Sequence, residues 1–279
     1  MKLYKKGEKV LIEHEGNFYA TDHPWDALIN HKNLFHYLIG QLPQYSKTTQ
    51  VDLANELDAP VGSQELWAAG VTYLRSKEAR EKESAHSGGG SFYDKVYDAQ
   101  RPELFFKALP SRISGHQHAV HIRNDSSWDV PEPELTLFIS SEGTIEGYTV
   151  GNDMSSRSIE GENPLYLAQA KVYDRSAALG PCLFVPENPI DLASSIQLKI
   201  YRADQLVFDG VTALSKMKRN LNELASFLFL ETSFPMGVML MTGTGIVPPD
   251  EFTLQVNDRV EISIDGIGTL INTVKKNKQ

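Results

Sequence analysis

Two glutamates stand two residues apart in the stretch DVPEPELTLF, residues 129–138, each directly after a proline. The stretch reads as a β-strand, in which residues two apart share a face with Cα atoms roughly 6.5–7 Å apart. Glu132 and Glu134 then sit side by side as like charges, and Leu135 and Leu137 take the opposite face as core. Further on, Glu142-Gly143 between two strand-like runs reads as a two-residue hairpin turn. With Ser141 paired to Thr144, the register brings Asp153 opposite Glu132 and Gly151 opposite Glu134. Three carboxylates converge, and such a cluster needs a cation or a proton to offset its repulsion. Hard oxygen donors select Mg²⁺, Mn²⁺ or Ca²⁺ over zinc. The residues therefore predict a divalent metal site made of Glu132, Glu134 and Asp153.

The elements that must position this cluster are mostly strands. Residues 1–62 read as a small leading αβ unit, with a hairpin at Glu15-Gly16. One helix runs through ALINHKNLFHYLIGQL, capped by Asp22 or Asp26, with Leu28, Leu34, Leu38 and Ile39 on one side and Pro43 at its end. Residues 63–279 form a second, larger unit of short strands and glycine corners. It has a hairpin over Ala203-Asp204-Gln205, a helix with Leu221, Leu224 and Leu228 facing the core, and a closing hairpin at Asp265-Gly266. The fold class is α+β and β-rich.

Composition narrows the function. Acidic residues outnumber basic ones, 36 against 27, which argues against nucleic acid or an anionic membrane as partner. No stretch has the ~20 apolar residues of a membrane span, and the N-terminus lacks the apolar core of a secretory signal. The single cysteine, Cys182, excludes an internal disulfide and a cysteine-based zinc site. These features predict a cytoplasmic enzyme or binder of a small molecule. One segment departs from the rest: residues 76–100 are charged, helix-prone and interrupted by Gly88-Gly89-Gly90. It reads either as exposed surface or as an active-site lid with a glycine hinge.

Over residues 67–274 the sequence resembles the fumarylacetoacetate hydrolase superfamily. The likeness rests on several motifs in order: Glu132 and Glu134 as E-x-E, Asp153 in GYTVGNDMSSR, Lys171 in KVYDRSAALGP, Thr242-Gly243-Thr244, and the closing DGIGTL. The resemblance implies a mixed β-sandwich roll, Mg²⁺ on the three carboxylates, and a homodimer or homotetramer. The segments SSRSIEGENPLYLAQAK and RPELFFKA look like the superfamily's dehydratase branch, which acts on 2-keto-3-deoxy sugar acids. Its reaction would convert 2-dehydro-3-deoxy-D-arabinonate to 2,5-dioxopentanoate. Ser76 stands where hydrolases and decarboxylases of the superfamily carry a histidine, which disfavours C–C hydrolysis.

On that likeness, removal of a C3 proton gives an enolate, the C4 hydroxyl leaves, and rearrangement yields the aldehyde; a Lewis-acidic cation suits these steps. Lys171 would stabilise the enolate or move the proton, and Glu103 is the candidate for proton transfer. Thr244, with Gly243 and the neighbouring backbone, would hold the substrate. Arg75 and Ser76 near the lid complete the set of substrate-binding candidates. Two other readings stand beside this one: a hydrolase or decarboxylase of acylpyruvates or oxaloacetate, and a non-catalytic metal and keto-acid binder. His116, His118 and His121 lack the spacings of a transition-metal site, and Cys182 reads as a core thiol.

Overall fold

The computed structural model describes residues 1–49, 51–53, 55–83 and 95–277, with backbone alone for 79–83. The leading strands are β1 (Lys2–Lys6), β2 (Lys9–His14), β3 (Asn17–Thr21) and β4 (Ser46–Thr48). Then come β5 (Leu66–Gly70), β6 (Glu103–Ala108), β7 (Ile113–Ser114), β8 (Ala119–Ile122), β9 (Asp129–Ile139) and β10 (Ile145–Ser156). The chain closes with β11 (Ala177–Phe184), β12 (Ser195–Arg202), β13 (Gln205–Ala213), β14 (Val238–Thr244), β15 (Arg259–Ile264) and β16 (Gly268–Lys276). The helices are α1 (Trp25–Ile29), α2 (Leu34–Gln41), α3 (Leu74–Glu83), α4 (Arg157–Glu162), α5 (Leu167–Lys171) and α6 (Leu221–Leu228).

Two mixed sheets carry the fold. The larger runs β4-β3-β2-β1-β11-β10-β9-β14-β5-β6, with β7 beside β11; the smaller runs β13-β12-β15-β16-β8. β1 pairs β11 through Lys2↔Phe184 and Leu3↔Leu183, so the leading strands extend the large sheet. Alternation along β9 divides the core in two. Leu135, Leu137 and Ile139 pack with Ile196, Leu198, Val260 and Ile262 of the smaller sheet. Phe138 faces the other way, toward Leu28, Leu34 and Leu38 of the leading helices. Glu132 and Glu134 share the even-numbered face with Phe138, at the far end of the strand. The sandwich expected from the sequence is therefore present, with the carboxylates on the outer face of its large sheet. Among the described residues, no helix is long and apolar enough to cross a membrane.

Three local expectations are corrected. The single helix over residues 27–42 is two, because Asn33 takes a left-handed φ of 55° and Glu146 Oε2 accepts the Leu34 N–H at 2.9 Å. The break turns Ile39 outward to 37% exposure, while Leu28, Leu34 and Leu38 stay buried. Asp26 caps nothing: its carboxylate accepts from the Ser63 N–H and from Gln64 Nε2, tying the helix to the start of the larger unit. At the β9–β10 hairpin the Ser140 N–H donates to Thr144 O, and the turn holds one residue more than expected. A bulge between Ile145 and Gly147 then absorbs that residue. From Gly147↔Phe138 onward the register is the expected one, with Asp153↔Glu132 and Gly151↔Glu134.

The segment after β5 is helical over Leu74–Glu83, as its composition suggests. The glycine run at 88–90 and the lid reading attached to it lie outside the described residues. Where the chain returns, the Arg219 guanidinium donates to the carbonyls of Val96 (3.1 Å), Ala99 (2.6 Å) and Gln100 (3.3 Å). This clamp fixes the approach to β6, whose first residue is Glu103.

Candidate active site

Pairing of β9 with β10 brings Glu132, Glu134 and Asp153 together. One oxygen from each lies within 4.8 Å of the others, and the residues are 5%, 2% and 1% exposed. Gly151 beside them is required by space, since a Cβ there would fall 2.3 Å from Thr136 Oγ1. Each carboxylate has a partner of its own. The Gly243 N–H donates to Glu134 Oε2 at 2.5 Å. Arg157 Nη2 donates to Glu132 Oε1 at 2.5 Å, from the first turn of α4. Lys171, at the C-terminal end of α5, donates to Glu132 Oε2 (2.5 Å), Asp153 Oδ2 (3.1 Å) and Ser155 Oγ (2.6 Å). Three acceptors match the three donors of an ammonium, so Lys171 is placed as a cation.

A second buried lysine completes the set. Lys107 Nζ is 2.6 Å from Asp153 Oδ1 and also donates to the carbonyls of Met154 and Lys171. Sequence reasoning passed over it, although Glu103, Phe105 and Lys107 alternate along β6 and so share a face. Arg157 was likewise missed as a site residue, despite closing the GYTVGNDMSSR motif. Burial pushes the Lys107 ammonium below the usual lysine range, opposed by the charge of Asp153. Burial also pushes the Glu134 carboxyl well above its ordinary 4.5, reinforced by Asp153 and Glu132 and partly offset by Lys171 and the Gly243 N–H. A carboxyl so raised either holds a proton or calls for a cation.

The cavity over the triad is also lined by Ala69, Gly70, Val71, Ser76, Phe105, Gly243 and Thr244. Glu103 pairs with Gly70 across β5 and β6, and a Cβ on Gly70 would fall 2.0 Å from Glu103 Oε2. Its carboxylate therefore lies against Gly70, which lines the cavity, while Glu103 itself is not among the lining residues. Thr244 Oγ1 donates to Ile246 O and accepts from the Ile246 N–H, which shapes the turn after β14. Ser76 Oγ donates to Tyr73 O at 2.8 Å and accepts from the Tyr73 N–H at 3.4 Å, closing the first turn of α3. Arg75 projects outward, half-exposed and 3.6 Å from Glu78. The three histidines go separate ways: His116 Nδ1 accepts from the Ile271 N–H, His118 approaches Glu56 at 3.8 Å, and His121 meets Asn277. Cys182 is fully buried, its thiol pushed up to about 12 by burial, which makes it inert.

The donor set fits a small divalent cation: three buried hard oxygens converge, one of them on a carboxyl that burial forces toward protonation. Glu132, Glu134 and Asp153 would hold it. A sandwich with this acidic triad on one strand pair defines a class of protein, and residues 67–275 match the fumarylacetoacetate (FAA) hydrolase C-terminal family. The chain belongs to that family. It is 50% identical over 218 residues to a probable 2-keto-3-deoxyxylonate dehydratase of Haloferax volcanii, covering 77% of this chain and 73% of that one. It is 43% identical over 224 residues to the 2-dehydro-3-deoxy-D-arabinonate dehydratase of Saccharolobus solfataricus, covering 79% and 74%. A solved 2-keto-3-deoxy-D-arabinonate dehydratase, complexed with magnesium and 2,5-dioxopentanoate, superimposes with a TM-score of 0.87 and 34% identity over the whole of both chains.

Proposed function

We propose that the chain is a Mg²⁺-dependent hydro-lyase that dehydrates a 2-keto-3-deoxy pentonate, converting 2-dehydro-3-deoxy-D-arabinonate to 2,5-dioxopentanoate. The observation that carries this reading is the buried Glu132–Glu134–Asp153 triad with the Lys171 ammonium bridging two of its members. A bound divalent cation supplies a Lewis acid for the oxygens of a 2-keto acid. The chain's own residues do the rest. Glu103, against Gly70, takes the C3 proton or returns one to the departing C4 hydroxyl. Lys171 stabilises the negative charge that develops on the keto oxygen, in a cavity whose burial strengthens that interaction. Thr244, the Gly243 backbone and Ser76 border the space that the remaining hydroxyls occupy, and Arg75 lies at its approach.

Dehydration is favoured over hydrolysis by Ser76, whose hydroxyl already closes the first turn of α3. A serine so engaged is poorly placed to activate water. Turnover of a panel of 2-keto-3-deoxy sugar acids, with Mg²⁺ and with chelator, tests the reading. Turnover only of acylpyruvates or oxaloacetate would replace it with hydrolase or decarboxylase chemistry. The reading extends to Mn²⁺ or Ca²⁺ in place of Mg²⁺, a cytoplasmic homodimer or homotetramer, and a division into a leading unit (1–62) and a catalytic domain (63–279).

A further inference from the structure

Nine non-glycine residues among those described have a left-handed backbone, and Val71 is the β-branched one. Its φ is 53°, a conformation in which a branched Cβ crowds the backbone. Held strain of this kind persists only where the surroundings over-determine it. The surroundings here do so on both sides. Gly70, before it, must stay flat because the Glu103 carboxylate occupies the space of a Cβ. Thr72, after it, is pinned by its hydroxyl, which donates to Thr242 O at 2.7 Å, and by its close fit against Gly243. The chain must turn from β5 toward α3 within the one residue between them.

Glycine would make that turn without strain. The backbone alone therefore argues for glycine, and the isopropyl group is retained for what the side chain does. Val71 is 5% exposed and lines the cavity beside the triad, with Ala69 and Phe105 as its apolar neighbours. Glu132, Asp153 and Lys171 line the same cavity and take the charged end of a ligand, with Lys171 Nζ 5.8 Å from the Phe105 ring centroid. An apolar wall beside a charged one suits a ligand whose carboxylate and keto group are followed by a carbon without a hydroxyl.

We infer that Val71 is a specificity-determining residue: its strained isopropyl group forms the apolar wall that selects 2-keto acids whose carbon next to the keto group bears no hydroxyl over those hydroxylated at that carbon. This rests on the proposed function, since it names which 2-keto acids that site accepts. A buried wall without a hydrogen-bond partner penalises a ligand hydroxyl, which loses its water on entry. Threonine is the close isostere of valine, with the same branching and the same backbone strain but one hydroxyl. Glycine fits the backbone and removes the wall.

The test measures dissociation constants of 2-oxobutyrate and 3-hydroxypyruvate, two ligands of nearly equal size, by calorimetry in Mg²⁺. Wild type should prefer 2-oxobutyrate, and V71T should lower that preference by about tenfold. V71G should lower it as well, while thermal melts show both variants folded. A preference unchanged in V71T and V71G, with wild-type turnover of the sugar acid intact, would overturn the inference alone. Absence of Mg²⁺-dependent binding of either ligand to wild type would overturn the functional reading, and this inference with it.

Discussion

Lys107 and Lys171 approach Asp153 from opposite sides, Nζ of the first 2.6 Å from Oδ1 and Nζ of the second 3.1 Å from Oδ2. One aspartate thus faces two buried ammonium groups, which hold its plane and leave no freedom to swing away from the two glutamates. Lys107 also donates to the carbonyl of Lys171, so the two lysines are fixed to each other. Replacing Lys107 by methionine keeps the volume and removes the charge. Breaking a buried pair in this way typically costs about 3–5 kcal/mol. K107M should lose stability of that order in urea unfolding of the metal-free protein, and Mg²⁺ should recover part of it. A loss equal with and without Mg²⁺ would show that Lys107 braces the sheet and not the charge cluster.

Glu134 predicts a pH dependence. Its folded pKa is raised above the unfolded value, so the native metal-free protein keeps a proton that the unfolded chain has released. Stability from this group is fully present below about 4.5, the ordinary value, and is lost as pH rises through the folded pKa. A cation displaces that proton, and Mg²⁺ affinity should tighten as pH rises. Calorimetry in buffers of different ionisation enthalpy should record proton release on Mg²⁺ binding. E134A should bind no Mg²⁺ yet remain folded, because alanine removes a carboxyl whose burial is costly in the metal-free protein. Unchanged Mg²⁺ affinity in E134A would remove Glu134 from the metal site.

The sequence made this site legible because strand periodicity and pairing are arithmetic. Glu132 and Glu134 had to share a face, and one hairpin register brought Asp153 to them. That register survived a misplaced turn only because the bulge at Ile145–Gly147 restored it. Lys107 was harder to see, since it reaches the triad from an element that neighbours it in space and not in sequence, while Arg157 follows β10 directly and only the start of α4 shows that it turns back onto Glu132. The break between α1 and α2 depends on Glu146, more than a hundred residues downstream, capping Leu34. Local pattern carries no sign of such a partner. Likewise, the strain at Val71 comes from what Glu103 and Thr242 do to its two neighbours.

Lys171 should act through charge and form no Schiff base. Its ammonium already has three acceptors, and a free amine would lose two anionic partners. Borohydride added during turnover should leave no covalent adduct. A mass increase at Lys171 would overturn the charge-only role and make the chemistry aldolase-like.

Arg157 orients Glu132 from behind. Its Nη2 takes Glu132 Oε1 while Lys171 takes Oε2, so both oxygens of this glutamate are held by cations; Nη1 lies 3.9 Å from Glu160. The arginine is 2% exposed, and its own backbone N–H donates to Trp128 O at 2.8 Å, which fixes the start of α4 against the segment that enters β9. Removing an outer partner of a metal ligand typically lowers metal affinity by about 10–100-fold. R157M should therefore weaken Mg²⁺ binding by that factor, read by calorimetry. Turnover at saturating Mg²⁺ should be far less affected, because Arg157 reaches the substrate only through Glu132. R157K should recover part of the affinity, since it restores the charge without the planar geometry of the guanidinium. Mg²⁺ affinity unchanged in R157M would mean that Lys171 and the strand pairing orient Glu132 without it.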